Sequence, residues 1–329
     1  MIHRRLLLTA ALLATLATGC VQGESDTATP AQGRLTLDYA YYNPLSLVIR
    51  QQRWLENELK GTTVTWVLSA GSNKANENLR AETIDVGSTA GAAALQARAN
   101  GTPIKTIGIY TQPEWTALVV PKDSPIKDVK ELKGRKVAAT KGTDPYFFLL
   151  QTLEEAGLKG SDVEVVNLQH ADGRTALERG DVDAWAGLDP MMAQSELEAG
   201  STLVYRNPGF NTYGFLNARE GFIKDHPDLA QKVVDAYERA RAWVAEHPDE
   251  AVKLLAQEAK LTPEVASVVL KERTKTDISP VPGAGQRAVL ERILPTLVRE
   301  SQVRSEDEAR KALDSLFEPR FAEKAKAAS

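Results

Sequence analysis

The chain has 329 residues, 40 basic and 44 acidic side chains for a formal net charge of −4, 43% hydrophobic residues and a single cysteine. That balance offers no basic face for nucleic acid, and one cysteine excludes an internal disulfide. The length is enough for a core held by packing alone, divided between two lobes.

The first predicted element is an export signal over residues 1–19. His3, Arg4 and Arg5 form a basic start, and Leu6 to Ala17 is apolar apart from two threonines. A run of roughly 12 residues is too short to span a bilayer as a helix. Small residues then lead to Cys20, the pattern of a secretory cleavage site. The stretch LATGC (Leu16–Cys20) resembles a bacterial lipobox, with Ala17 where leucine is usual. That resemblance implies lipid on Cys20, an anchor rather than a nucleophile, on an exported periplasmic or cell-surface protein. Without Arg4 and Arg5 the basic side chains number 38 against 44 acidic ones, a net charge of −6. Val21–Gly33 (VQGESDTATPAQG) is small, polar and proline-containing, so residues 20–33 read as the lipidated end and a flexible tether.

Strands and helices then alternate. Arg34–Ala40 reads as a strand, Pro44–Leu59 as a helix, and Thr63–Ser69 as a strand. Asn73–Ala81 is a short helix, Ile84–Thr89 a strand, Ala90–Asn100 a helix and Ile104–Tyr110 a strand. Such alternation predicts a mostly parallel sheet covered by helices. The pattern restarts after Pro121 with strands at Lys136–Thr140, Glu164–Gln169, Asp183–Leu188 and Thr202–Arg206. Helices at Pro145–Ala156, Gly173–Arg179 and Met191–Ala199 separate them.

Beyond Glu220 the chain is almost entirely helical, with Leu229, Val233, Ala236, Tyr237, Ala240 and Trp243 on one stripe. The repeated HPD at His226 and His247 puts proline where a helix begins, so both histidines read as boundary residues. Leu79, Ile84, Asp85 and Val86 match Leu177, Val182, Asp183 and Ala184 at a constant offset, as two lobes built alike would require. A chance match between generic strand–helix units is the rival reading. Two extended segments, Trp115–Pro121 and Thr212–Arg219, are placed to cross between lobes and act as a hinge.

Three stretches carry a family resemblance: Ser69–Leu95 (SAGSNKANENLRAETIDVGSTAGAAAL), Val119–Tyr146 (VVPKDSPIKDVKELKGRKVAATKGTDPY) and Leu177–Pro190 (LERGDVDAWAGLDP). The chain resembles the periplasmic solute-binding proteins of ABC importers, in the aliphatic-sulfonate, nitrate and taurine group. The resemblance spans nearly all of residues 34–320. It implies a type II periplasmic binding-protein fold, with two α/β lobes joined by two crossover strands and the ligand cleft between them. Residues 34–118 and 217–329 would form lobe one, and 119–216 lobe two.

In open α/β sheets ligands sit at the carboxyl ends of strands, where helix N-termini offer N–H groups and partial positive charge to an anion. Three turns provide this. Ala70-Gly71-Ser72-Asn73 and Ser88-Thr89-Ala90-Gly91 do so in the first unit, and Thr140-Lys141-Gly142-Thr143-Asp144 in the second. Ser72, Asn73 and Asp144 are also good N-caps. With the family resemblance, Gly71, Ser72, Asn73, Ser88, Thr89, Thr140, Gly142 and Thr143 are implied to hold a sulfonate. Asp144 reads as a pure cap, because a carboxylate repels an anion. Tyr41, Tyr42 and Asn43 occupy the family's cleft mouth. Trp115, Tyr146, Trp185 and Tyr213 either face the organic part of the ligand or belong to the core. His170 either faces the ligand or sits on a solvated turn. Asp189 fits the family's D-P turn, as a hydrogen-bonding group near the cleft or as a cap. Lys74 and Lys141 would add charge or have no role, and Glu114 is the candidate partner for a ligand amine.

The chain lacks the P-loop pattern and any His/Cys cluster with metal spacing, so neither ATP chemistry nor a metal or cofactor is expected. Desulfinases of the same fold use a cysteine nucleophile, but here the sole cysteine lies at the export junction. The expected role is therefore that of a monomeric binding protein, not an enzyme. It would capture a small organic anion, foremost an aliphatic sulfonate, and pass it to an ABC permease in the membrane. Nitrate, taurine, a thiamine-precursor-like heterocycle, a signalling partner, or an enzyme of this fold are the alternatives.

Overall fold

A computed structural model describes residues 33–325. Segment 1–19, Cys20 and the tether up to residue 32 lie outside the described residues.

The chain opens with β1 (Gly33–Tyr39), α1 (Pro44–Gln52), α2 (Trp54–Glu58), β2 (Thr62–Leu68), α3 (Ser72–Arg80), β3 (Val86–Ala90), α4 (Gly91–Ala99) and β4 (Ile104–Pro113). The second unit runs β5 (Leu118–Val120), β6 (Lys136–Ala139), α5 (Asp144–Glu155), β7 (Glu164–Asn167), α6 (His170–Arg179), β8 (Ala184–Ala186), α7 (Met191–Ala199) and β9 (Thr202–Tyr205). The chain returns through β10 (Gly214–Arg219) to α8 (Glu220–Asp225), α9 (Pro227–Glu246), α10 (Pro248–Ala259) and α11 (Pro263–Ser267). It closes with β11 (Thr274–Lys275), α12 (Ala284–Arg299), α13 (Glu306–Leu316) and α14 (Arg320–Glu323).

Two sheets result, in the orders β11-β4-β10-β3-β1-β2 and β7-β6-β8-β5-β9. With their helices they are called lobe one and lobe two below. The chain leaves lobe one between Pro113 and Leu118 and returns between Tyr205 and Gly214.

The sheets are mixed, which corrects the mostly parallel expectation. β1 is parallel to β2 and β3, and β6 to β7 and β8. By contrast β10 runs antiparallel to β3 and β4, and β5 to β8 and β9. The cause is topological. Helix-linked strands must repeat their direction, whereas β5 and β10 enter their sheets from the other lobe.

The helix expected over Pro44–Leu59 is broken at Arg53, whose φ of 53° is left-handed. No glycine marks the break, although such a residue costs roughly 1–2 kcal/mol. It redirects the chain so that Trp54 packs under the Arg239 guanidinium at 4.2 Å. Asn43 caps α1, accepting from the Ser46 N–H at 3.3 Å, and donates to the Tyr237 hydroxyl of α9 at 2.9 Å. The α9 stripe buries Val233, Ala236, Tyr237 and Ala240, while Leu229 and Trp243 are half-buried. His226 and His247 stand at the α8–α9 and α9–α10 junctions. Among the described residues no helix is long and apolar enough to cross a membrane.

The internal match has a physical counterpart. Asp85 Oδ2 accepts from the Thr36 N–H at 2.8 Å, and the Asp85 N–H returns to the Thr36 carbonyl at 2.7 Å. Asp183 treats Lys136 the same way, at 2.8 and 2.9 Å. Each aspartate ties the turn before an inner strand, β3 or β8, to the neighbouring parallel strand, β1 or β6.

Candidate functional site

A cavity of about 490 Å³ opens between the lobes, within the range of small-molecule sites. Lobe one supplies Tyr41, Tyr42, Leu68 and the Ser69–Ala70 turn, with Ala259 and Leu261 from the helical tail. Lobe two supplies the start and one face of α6, and Pro190, Met191 and Gln194 at the start of α7. Along α6, His170, Arg174 and Glu178 recur at helical spacing and all face this space. Arg174 is the only basic side chain in the lining. Its Nε donates to Glu178 at 2.6 Å and its Nη2 lies 3.8 Å from Glu198, which leaves the Nη1 N–H groups for an anion.

A second space of about 10 Å³, room for roughly one water, lies deeper. Ser72, Ala90, Thr143 with Asp144, and His170 border it, so the starts of α3, α4, α5 and α6 converge there. The first N–H groups of α4 are spent on protein. Ala90 donates to Ser72 Oγ at 2.9 Å, Gly91 to the Tyr213 carbonyl at 3.0 Å, and Ala92 to Thr212 Oγ1 at 3.2 Å. The start of α6 borders the larger cavity as well, so its positive end faces the space beside Arg174.

Ser72 and Asn73 do not cap α3. The N-cap is Gly71, and Ser72 crosses to Ala90 instead. Asp144 is not a cap either. It is the first residue of α5, and its carboxylate accepts from Trp115 Nε1 at 2.9 Å, from the Thr212 N–H at 2.7 Å and from Thr212 Oγ1 at 2.6 Å. Trp115 and Thr212 belong to the two crossing segments, so one carboxylate of lobe two holds both. Burial pushes Asp144 up to about 6, against those donors.

Of the expected site residues, Tyr41, Tyr42 and His170 line the larger cavity. Tyr42, Ser72, Trp115, Thr143 and His170 border the smaller one. Tyr42 packs edge-on against Trp115 at 6.0 Å and donates to the Ser88 carbonyl at 3.0 Å. Gly71 faces His170 across the cleft. A Cβ there would sit 2.9 Å from His170 Nε2 and 2.8 Å from Asn73 Oδ1. Gly142 has a left-handed φ of 78° and turns the chain beside Asn73.

Other expected residues lie outside both linings. Asn43 is fully buried in its capping role. Ser88 donates twice to Asp38, and Thr89 accepts from Asn217 at 2.8 Å, so both side chains are engaged within lobe one. Tyr146 is buried beside Phe147, Tyr213 is half-buried against the core, and Trp185 is core of lobe two. Lys74 pairs with Glu77 at 2.8 Å, and Lys141 lies over the Tyr146 ring at 5.9 Å. Glu114 pairs with Arg206 at 2.7 Å, which takes it away from any ligand amine. Asp189 accepts from the Ala193 N–H at 2.9 Å and from Arg273 of lobe one at 3.4 Å, and Arg273 also bonds Glu196. Burial pushes Asp189 up to about 7, against the pull of Arg273. This buried ion cluster joins the lobes beside the cavity.

Arg174, Gln169 and Arg273 are the residues that sequence reasoning missed. The first had a signal, since His170, Arg174 and Glu178 share one face of a helix. Arg273 had none, being 84 residues from Asp189. Among the described residues no group of three or more His, Cys, Asp or Glu side chains is placed to hold a metal ion.

Two mixed α/β lobes around an interlobe cavity define the periplasmic binding-protein fold. The chain belongs to the NMT1/THI5-like family, whose model matches residues 58–251. It is 30% identical, over 71% of its length and 74% of the relative's, to a candidate aliphatic sulfonates-binding protein of Escherichia coli (strain K12). The fold matches the alkanesulfonate-binding protein SsuA from Xanthomonas axonopodis pv. citri bound to MOPS. That match has a TM-score of 0.76 and 25% identity, covering 85% of this chain and 97% of that one. It also matches the periplasmic aliphatic sulphonate binding protein SsuA from Escherichia coli, with a TM-score of 0.74 and 27% identity, covering 87% and 92%. A desulfurization enzyme shares the fold at 18% identity and a TM-score of 0.65.

Proposed function

We propose that the chain captures a small organic sulfonate between its lobes and delivers it to an ATP-driven importer. The relatives named for sulfonates support the ligand class, and the cavity supports the chemistry. The observation that carries the reading is Arg174 on the first turns of α6, facing a cavity that also presents Tyr41, Tyr42, Leu68 and Met191 as apolar wall and whose one carboxylate, Glu178, is already held by Arg174. A sulfonate stays ionised at neutral pH and needs donors on one side and apolar surface on the other. The larger cavity offers both. The smaller one is too tight and holds the Asp144 carboxyl. Binding rather than turnover is the role, with residues 1–19 directing export and Cys20 carrying lipid. The lobes separate by a hinge at the two crossings to admit the ligand.

Calorimetry and thermal unfolding with alkanesulfonates, sulfate and nitrate test this. A sulfonate at 100 times its dissociation constant adds about 2.7 kcal/mol of stability. Arg174→Met weakens sulfonate binding by about tenfold or more. Binding of nitrate or a neutral heterocycle alone, or chemical alteration of a bound sulfonate, would refute the reading.

A further inference from the structure

His170 is 1% exposed, and its two ring nitrogens have different surroundings. Nδ1 lies 3.1 Å from Thr140 Oγ1. That hydroxyl gives its single proton to the Leu168 carbonyl at 2.6 Å. It can therefore only accept from His170, so Nδ1 carries the ring proton. Nε2 is then a bare lone pair. It is buried without a hydrogen-bond partner, and His170 borders both cavities. Its neighbour Gln169 also points a buried, unpartnered acceptor oxygen, and Gln169 lines the larger cavity. Burial holds the His170 ring down to about 3, so it stays neutral.

A sulfonate group has acceptors only and cannot satisfy Nε2. The partner must come from elsewhere on the ligand. We propose that His170 is a specificity-determining residue, whose Nε2 accepts a hydrogen bond from an O–H or N–H group on the organic part of the ligand. The site then selects hydroxy- or amino-alkanesulfonates over unsubstituted ones. This rests on the sulfonate reading above. Thr140 acts at one remove, as the positioning residue that fixes the ring's proton. A rival arrangement exists in the same geometry. Asn73 turned end for end would set its amide N–H toward Nε2 across Gly71 and leave the ligand no part.

The test is a matched set: ethanesulfonate, 2-hydroxyethanesulfonate and 2-aminoethanesulfonate, titrated into the full protein by calorimetry. The expected result is that at least one donor-bearing ligand binds about tenfold or more tighter than ethanesulfonate. His170→Phe, which keeps the ring and deletes the acceptor, brings the set to within about twofold. Thr140→Val, which releases the ring proton, narrows the preference while His170 remains. Equal affinities across the set in the unaltered protein, as the Asn73 arrangement requires, would overturn this inference alone. A preference that survives His170→Phe would do the same. Failure of every sulfonate to bind would overturn the sulfonate reading and this inference with it.

Discussion

The turns at Asp85 in lobe one and Asp183 in lobe two use the same hydrogen bonds, yet they sit at different depths. The Asp85 side chain is 8% exposed and pairs with Arg219 at 2.6 Å, whereas Asp183 is 35% exposed and meets Arg135 at 3.5 Å. Thr36, which Asp85 serves, is buried, whereas Lys136, which Asp183 serves, is exposed. Water can replace Asp183 at the Lys136 N–H, but it cannot reach Thr36. One local device therefore has two energetic weights. Repetition of a sequence pattern reports a shared conformation, not a shared contribution to stability.

The largest expected effect follows directly. Asp85→Ala strands the buried Thr36 N–H and takes one of two carboxylate partners from Arg219, which keeps Glu82 at 2.9 Å, and should cost about 3 kcal/mol in denaturant unfolding. A loss no greater than that of the Asp183 variant would break the comparison.

Next in size is an effect at the link between the lobes. Folded, Asp144 keeps its proton up to about pH 6, whereas the unfolded chain releases it near 3.8. In that window the folded state binds more protons. The stability gained is full below about pH 4 and is lost as pH rises through 6. The difference in unfolding free energy between the wild type and Asp144→Asn should change by about 2 kcal/mol between pH 4 and 7.5. A pH-independent difference would show that burial does not govern this carboxyl. The smallest effect is Asp183→Ala, expected at about 1 kcal/mol by the same unfolding measurement. A value near that of Asp85→Ala would mean that exposure is the wrong explanation.

The alternating elements were legible because strand and helix periods are local, and the Asp85–Asp183 match because it repeats a local pattern. Tyr41 and Tyr42 were legible as the end of a strand, and their place at the mouth as what the family resemblance implies, while His170 was legible as lying between a strand and a helix. Asp144 was misread, since a residue ahead of proline looks like a cap. Its true partners, Trp115 and Thr212, lie 29 and 68 residues away. Ser88 and Thr89 were placed in the right turn, but the sequence does not show that Asp38 and Asn217 already engage them. The break at Arg53 carried no glycine or proline to announce it. Contacts between distant segments leave no period in the chain, so the interlobe ion cluster was invisible.

Gly71 meets His170 with a hydrogen atom where any other residue would present carbon. The jaws are therefore set to a gap of one atom. An alanine there would act as a doorstop, pressing on His170 where it borders both cavities and propping the cleft ajar without altering a charge. The same chain, one methyl heavier, would give a reference for the open form, against which the work of closing on a ligand can be weighed.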